Sequence, residues 1–203
     1  MGGRHSSPAG AFAPRTTSDG IMTLIFVCTS NTCRSPMAEG LGRKWIQDNG
    51  FGDKVRVMSR GLTDAYEKPG SPASAHAVTA VAKYGVDIAP HRSALMTPAE
   101  LGAATFVLCV SGSHREWLLE MDPAAADRIS TLGEDIPDPW HQALPVYQVT
   151  ADTLARVVPA RMERLRGQLE EAVAAAERAA AEATAKSKAS APSGGGGGGG
   201  GGG

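Results

Sequence analysis

The chain carries almost no net charge, no long apolar run and few thiols, and each shortage excludes a class of function. Lys and Arg number 20 against 21 Asp and Glu, for a formal net charge of -1 and a pI near 6.5. No global attraction to nucleic acid or to an anionic membrane surface follows from that balance. No apolar stretch approaches the roughly eighteen residues a membrane span needs, and the N-terminal residues lack the apolar core of a secretory signal. A soluble, cytoplasmic protein is expected, with no nucleic acid or membrane partner. Residues 1 to 20 do carry Arg4, Arg15, several hydroxyl residues and no acid before Asp19. An organelle stroma or matrix therefore stays open as the alternative, should that segment act as a transit peptide. Three cysteines, an odd number, argue against a disulfide scaffold and for a reducing compartment. The five histidines are scattered, and Cys28 and Cys33 lack a matching second pair, so neither a metal site nor a cofactor is expected. No internal repeat is present.

The two ends also lack core material. Residues 1–21 mix Gly, Ser, Pro and Thr, and the tail runs through alanine, serine and lysine into ten terminal glycines. Neither offers enough apolar surface to offset the entropy of ordering. The expected organisation is a disordered extension over 1–21, one domain over 22–175, and a helix end with a disordered tail over 176–203.

Within the domain, strand and helix signals alternate, the pattern of a parallel sheet covered on both faces. Thr23 to Cys28 reads as the first strand. A helix from Ser35 to about Asp48 follows, with Met37, Leu41, Trp45 and Ile46 on one stripe, closed by Asn49-Gly50. Val55 to Ser59 alternates as a second strand. Ser71-Pro72 opens a helix through Val78, Val81 and Tyr84 that stops at Gly85. Phe106 to Val110 is a third strand, with Cys109 in its core, and Ser113 to about Met121 a short helix. Ile129 to Leu132 reads as a fourth, edge-side strand. The last helix spans Val149 to about Glu177, and Pro159 should kink it or mark its start. The fold class is α/β: a single-domain, open, twisted, four-stranded parallel sheet flanked by helices on both faces, with a phosphate-binding loop after the first strand.

That loop is the most informative segment. Leu24-Ile25-Phe26-Val27 runs into Cys28-Thr29-Ser30-Asn31-Thr32-Cys33-Arg34-Ser35 and then Pro36. A cysteine, five residues and an arginine can wrap a loop whose amides converge on one tetrahedral oxyanion. The helix behind it adds the positive end of its dipole. Both fields favour the anionic form of a thiol, and the thiolate is the nucleophile. Arg34 offers a planar fork for two phosphoryl oxygens. Ser35 is suited to cap the helix, with Pro36 in the first turn. A right-handed crossover sets this loop at the carboxyl end of the sheet, where open α/β folds carry their sites.

Val27 to Pro36 resembles the signature loop of the low-molecular-weight protein-tyrosine phosphatases. That family also holds bacterial protein arginine phosphatases and thioredoxin-coupled arsenate reductases. The likeness runs from about Thr23 to near Glu170, and Asp138-Pro139-Trp140, roughly 110 residues beyond the loop, resembles the family's Asp-Pro-aromatic triplet. The resemblance implies a cysteine-dependent phosphatase acting on a phosphorylated protein as a monomer. Cys28 would be the nucleophile, Arg34 and the loop residues Thr29, Ser30, Asn31, Thr32, Cys33 and Ser35 would hold the phosphoryl group, and Asp138 would be the acid and base. Asp135 is expected to be a solvated loop charge. Asn31 is similar to the asparagine that holds the family's loop in a left-handed conformation, and Ser35 to the serine that donates to the thiolate. Ser59 and His91 match the pair that tie the asparagine side chain. Cys33 would protect Cys28 by forming a disulfide, or else simply pack as a small hydrophobe.

Tyr66 and Trp140 are expected to wall the pocket, which suits a phosphotyrosine ring or a stacked phosphoarginine guanidinium alike. Thr32 favours the second, since arginine-directed relatives resemble this chain in having threonine there. An arsenate reductase of the same fold would need further redox cysteines, and a phosphate-binding module without turnover would need neither thiol nor acid. His76 and His114, on helices, are expected to be exposed.

Overall fold

The computed structural model describes residue 15 and residues 20–189. The disorder expected of the remaining N-terminal residues and of the polyglycine tail lies outside the described residues. The elements in chain order are β1 (Met22–Cys28), α1 (Arg34–Asp48), β2 (Val55–Gly61), α2 (Ala75–Ala82), α3 (Pro98–Ala103), β3 (Phe106–Cys109), α4 (Gly112–Met121), a 3-10 turn (Pro123–Ala125), β4 (Ile129–Thr131) and α5 (Leu144–Ala189). The strands form one sheet in the order β2-β1-β3-β4, and every pairing is parallel. Among the described residues no helix is long and apolar enough to cross a membrane.

The unbroken apolar run of β1 follows from burial on both faces, as central parallel strands require. Leu24 and Phe26 point into a core shared with α1, α2 and α5, while Ile25 and Val27 point into a second core with Leu101 of α3 and Leu118 of α4. The period of two along the strand thus feeds two separate layers. With β1 in the centre of the sheet, its carboxyl end carries the Cys28 loop into the crevice between those layers.

The helices differ from their sequence-based bounds for local reasons. Ser35 does not cap α1; Cys33 occupies that position without a side-chain cap bond, and the Ser35 hydroxyl faces inward instead. Ser71-Pro72 does not open a helix, because Pro72 bridges to Arg92 and α2 starts only after Ser74. The six-residue helix α3 is not expected from the apolar pattern of the sequence. Thr97 accepts from the Glu100 amide at 3.1 Å, and the Glu100 carboxylate accepts from the Thr97 amide at 3.1 Å, a reciprocal capping box. The last helix begins at Leu144 and runs through Pro159 to Ala189. Proline removes one helical bond, but Leu154, Val157, Val158, Met162, Leu165 and Leu169 form a continuous buried stripe across it. Beyond Glu177 the alanine-rich sequence has high intrinsic helix propensity. Within the segment expected to be a free extension, Arg15 donates to the Gly102 carbonyl at 2.5 Å, and its own carbonyl accepts from the Thr105 hydroxyl.

Candidate active site

The turn from β1 into α1 puts Cys28 at the floor of a cavity of about 310 Å3. Thr29, Ser30, Thr32, Cys33 and Arg34 line its lower part, and Tyr66, Asp138 and Trp140 its mouth. Cys28 is buried, with its sulfur 3.0 Å from the Ser35 hydroxyl. Asn31 is wholly buried with φ 59, a left-handed conformation that asparagine tolerates better than most residues. Its amide donates to Ser35 Oγ at 2.9 Å and to Ser59 Oγ at 2.8 Å, and its side-chain oxygen accepts from the Ala94 amide at 2.9 Å. Every polar atom of this side chain is therefore engaged in holding the loop.

His91 takes part through the backbone rather than through that side chain: its Nε2 donates to the Asn31 carbonyl at 2.8 Å. Its Nδ1 lies 3.8 Å from Glu39, which accepts from Ser59 at 2.6 Å. Burial pushes the His91 pKa down. Glu39 links Ser59 and His91 from the second turn of α1, and nothing in the sequence singled it out.

Arg34 is buried, and its guanidinium is held on three sides. Nη1 donates to the Ile136 carbonyl at 3.1 Å, and Nη2 donates to Thr29 Oγ1 at 3.2 Å and to Asp138 Oδ2 at 2.6 Å. Nε is buried without a partner among the described residues, an orphan donor that costs free energy until something accepts from it. Asp138 sits half-exposed at the mouth and also accepts from the Trp140 amide at 3.2 Å, the local turn that Asp-Pro sequences favour. Its neighbour Asp135 is exposed but not merely solvated, since it accepts from the Gly112 amide at 2.8 Å.

Three further positions, His114, Ser74 and Tyr147, differ from expectation or carry no signal in the sequence. His114 is buried rather than exposed, with Nε2 2.9 Å from Thr29 Oγ1 and Nδ1 against Ser111 Oγ. Burial and the nearby Arg34 charge push its pKa down to about 4. Ser74 and Tyr147 hold the Cys33 sulfur at 3.0 and 3.3 Å. Burial pushes the Cys33 pKa up and that of Tyr147 up to about 12. All three cysteines are free thiols, and Cys109 is wholly buried in β3, its pKa pushed up to about 12 by desolvation. Exposed His76 packs its ring edge-on against Tyr147, centroids 5.4 Å apart. Tyr66 and Trp140 meet edge to face at the cavity mouth, ring centroids 5.3 Å apart. Among the described residues no group of three or more His, Cys, Asp or Glu side chains is arranged to hold a metal ion.

A cavity with room for a phosphoryl group, a thiol beneath it and an unsatisfied arginine donor beside it places the chain among the cysteine-dependent protein phosphatases. Residues 23–179 match the family described as low molecular weight phosphotyrosine protein phosphatase, and the chain belongs to that family. It is 33% identical over 150 residues to a protein-arginine-phosphatase of Geobacillus stearothermophilus, covering 70% of this chain and 95% of that one. It is 31% identical over 150 residues to a probable low molecular weight protein-tyrosine-phosphatase of Ralstonia nicotianae, covering 72% and 97%. A solved arginine phosphatase, a cysteine-to-serine mutant with a phosphorylated active-site serine, superposes with a TM-score of 0.65 at 29% identity, covering 71% of this chain and 96% of that one.

Proposed function

We propose that this chain dephosphorylates proteins through a phosphocysteine on Cys28, and that it prefers phosphoarginine to phosphotyrosine. The Cys28 sulfur attacks phosphorus in line, the bond from phosphorus to the leaving oxygen or nitrogen breaks, and Asp138 gives that atom its proton. Water then attacks phosphorus and gives its proton to Asp138. The sulfur–phosphorus bond breaks, and inorganic phosphate leaves. Arg34 and the loop amides hold the equatorial oxygens through both displacements.

The observation that carries this reading is the buried Arg34 Nε beside the Cys28 cavity, without a partner among the described residues. A phosphoryl oxygen satisfies that donor, and its arrival frees Asp138 from Nη2 to face the leaving group. Thr32 supports the arginine preference: it is buried against the cavity, and the partner of its hydroxyl is the Cys33 sulfur at 3.7 Å, too weak a contact to commit it. It is thus available to orient the attacking water. A redox relay would need a further accessible thiol, and buried Cys109 does not supply one.

Turnover of p-nitrophenyl phosphate tests the mechanism. Cys28→Ser abolishes it, and Asp138→Ala slows it by about 100- to 10,000-fold, the usual worth of general acid–base catalysis. Undiminished turnover in Cys28→Ser overturns the assignment. For substrate choice, Thr32→Ile lowers activity on phosphoarginine peptides far more than on phosphotyrosine peptides, and equal losses remove the preference.

A further inference from the structure

From Arg34 a largely buried chain of polar groups runs into the start of α4. Arg34 Nη2 donates to Thr29 Oγ1 at 3.2 Å, and Thr29 Oγ1 lies 2.9 Å from His114 Nε2. His114 Nδ1 contacts Ser111 Oγ, which also accepts from the His114 amide at 3.4 Å and lies 2.9 Å from Ser113 Oγ. A hydroxyl has one proton. In the arrangement where Thr29 Oγ1 accepts from Arg34 and gives its own proton to His114 Nε2, the ring proton sits on Nδ1 and faces Ser111.

We infer that His114 is a positioning residue: through the Thr29 hydroxyl it sets the plane of the Arg34 guanidinium against the phosphoryl group. This rests on the function proposed above. Of the contacts that now hold Arg34, the one to Asp138 is given up when the carboxyl turns to the leaving group, and Nε has no partner among the described residues. The Ile136 carbonyl on Nη1 and Thr29 on Nη2 then remain as the protein's grip. Losing Thr29 lets the fork tip about the single bond left at Ile136. His114 prevents this by fixing the direction of the Thr29 lone pair. Burial and the charge of Arg34 keep the imidazole neutral, so it accepts from Thr29 without adding a second cation. The start of the same helix also holds the acid's loop, through Gly112 on Asp135.

The test uses the full chain with Thr29→Val, His114→Leu, His114→Gln and the double variant Thr29→Val/His114→Leu. Inorganic phosphate affinity is measured by calorimetry, alongside kcat and KM on p-nitrophenyl phosphate. Thr29→Val and His114→Leu should each weaken phosphate binding and lower kcat/KM by about tenfold, the scale of one hydrogen bond to a charged group. The double variant should be no worse than either single one. Glutamine offers a carbonyl oxygen to the Thr29 hydroxyl and should recover most of the loss. Unchanged phosphate affinity in both single variants, or losses that multiply in the double, overturns the inference. If His114→Leu fails to fold, Thr29→Val, which keeps shape and removes only the hydroxyl, decides alone. Phosphate affinity is independent of the chemical step. A failure of the phosphocysteine mechanism would instead appear as turnover surviving in Cys28→Ala, with the binding losses intact.

Discussion

Replacing Asn31 separates the two things this residue does for the loop. Asn31→Ala removes two donated bonds, to Ser35 and Ser59, and one accepted from the Ala94 amide. At a net worth of about 1 kcal/mol each, this costs roughly 3 kcal/mol. Alanine must also hold φ 59, where a Cβ without a compensating polar group adds about 1 kcal/mol. The total of about 4 kcal/mol is a large share of the 5–15 kcal/mol typical of a domain. Asn31→Gly loses the same bonds but not the backbone term, so it should be about 1 kcal/mol less damaging. Both variants free the Ser35 hydroxyl from its tether beside the Cys28 sulfur, and turnover should fall at least tenfold in each, by roughly the worth of one charge-assisted hydrogen bond. Urea unfolding at pH 7, read with p-nitrophenyl phosphate turnover, measures both effects. If the two variants unfold within 1 kcal/mol of the parent, or alanine is no worse than glycine, this account of the loop is wrong.

His114 makes stability depend on pH. Its pKa falls from the ordinary 6.5 to about 4 on folding, so its contribution is present above pH 6.5 and is lost as pH falls toward 4, on the order of 2 kcal/mol after allowance for solvent screening. Urea midpoints between pH 7 and 4.5 should show this acid limb in the parent and a shallower one in His114→Gln; equal slopes would refute the assignment. Gly61 faces the phosphate loop across the end of β1–β2, where an added Cβ would sit 3.0 Å from the Thr29 carbonyl oxygen and 3.0 Å from the Ser30 carbonyl carbon. Gly61→Ala should therefore lower kcat/KM several-fold by displacing the loop, a contact tighter than close-packed interiors accept. A variant with parental kinetics would show that the loop yields without consequence.

What was legible in the sequence was what is local. Cys28, Asn31, Arg34 and Ser35 lie within one turn-and-helix start, so spacing alone puts them around one point. The strands were legible because β1 and β3 are buried on both faces and read as unbroken apolar runs. Asp138 is remote, but Asp-Pro-Trp carries its own turn. Thr29, His114 and Ser111 illustrate what was not legible: Thr29 and His114 are 85 residues apart, and their contact depends on β3 lying next to β1. A histidine on a short helix is ordinarily on the surface, and only the packing of α4 against the sheet buries this one. Tyr147 reaches Cys33 across 114 residues for the same kind of reason. The start of α2 is not legible because Ser71-Pro72, a good helix opening by local chemistry, is taken up by the bridge from Pro72 to Arg92.

The central claim is that Cys28 becomes phosphorylated during turnover. Asp138→Ala, mixed with substrate and quenched in acid within one turnover, should yield a mass gain of one phosphoryl group on the peptide bearing Cys28, and none in Asp138→Ala/Cys28→Ala. A steady release of phosphate with Cys28 unlabelled, or with the label on another residue, would contradict it.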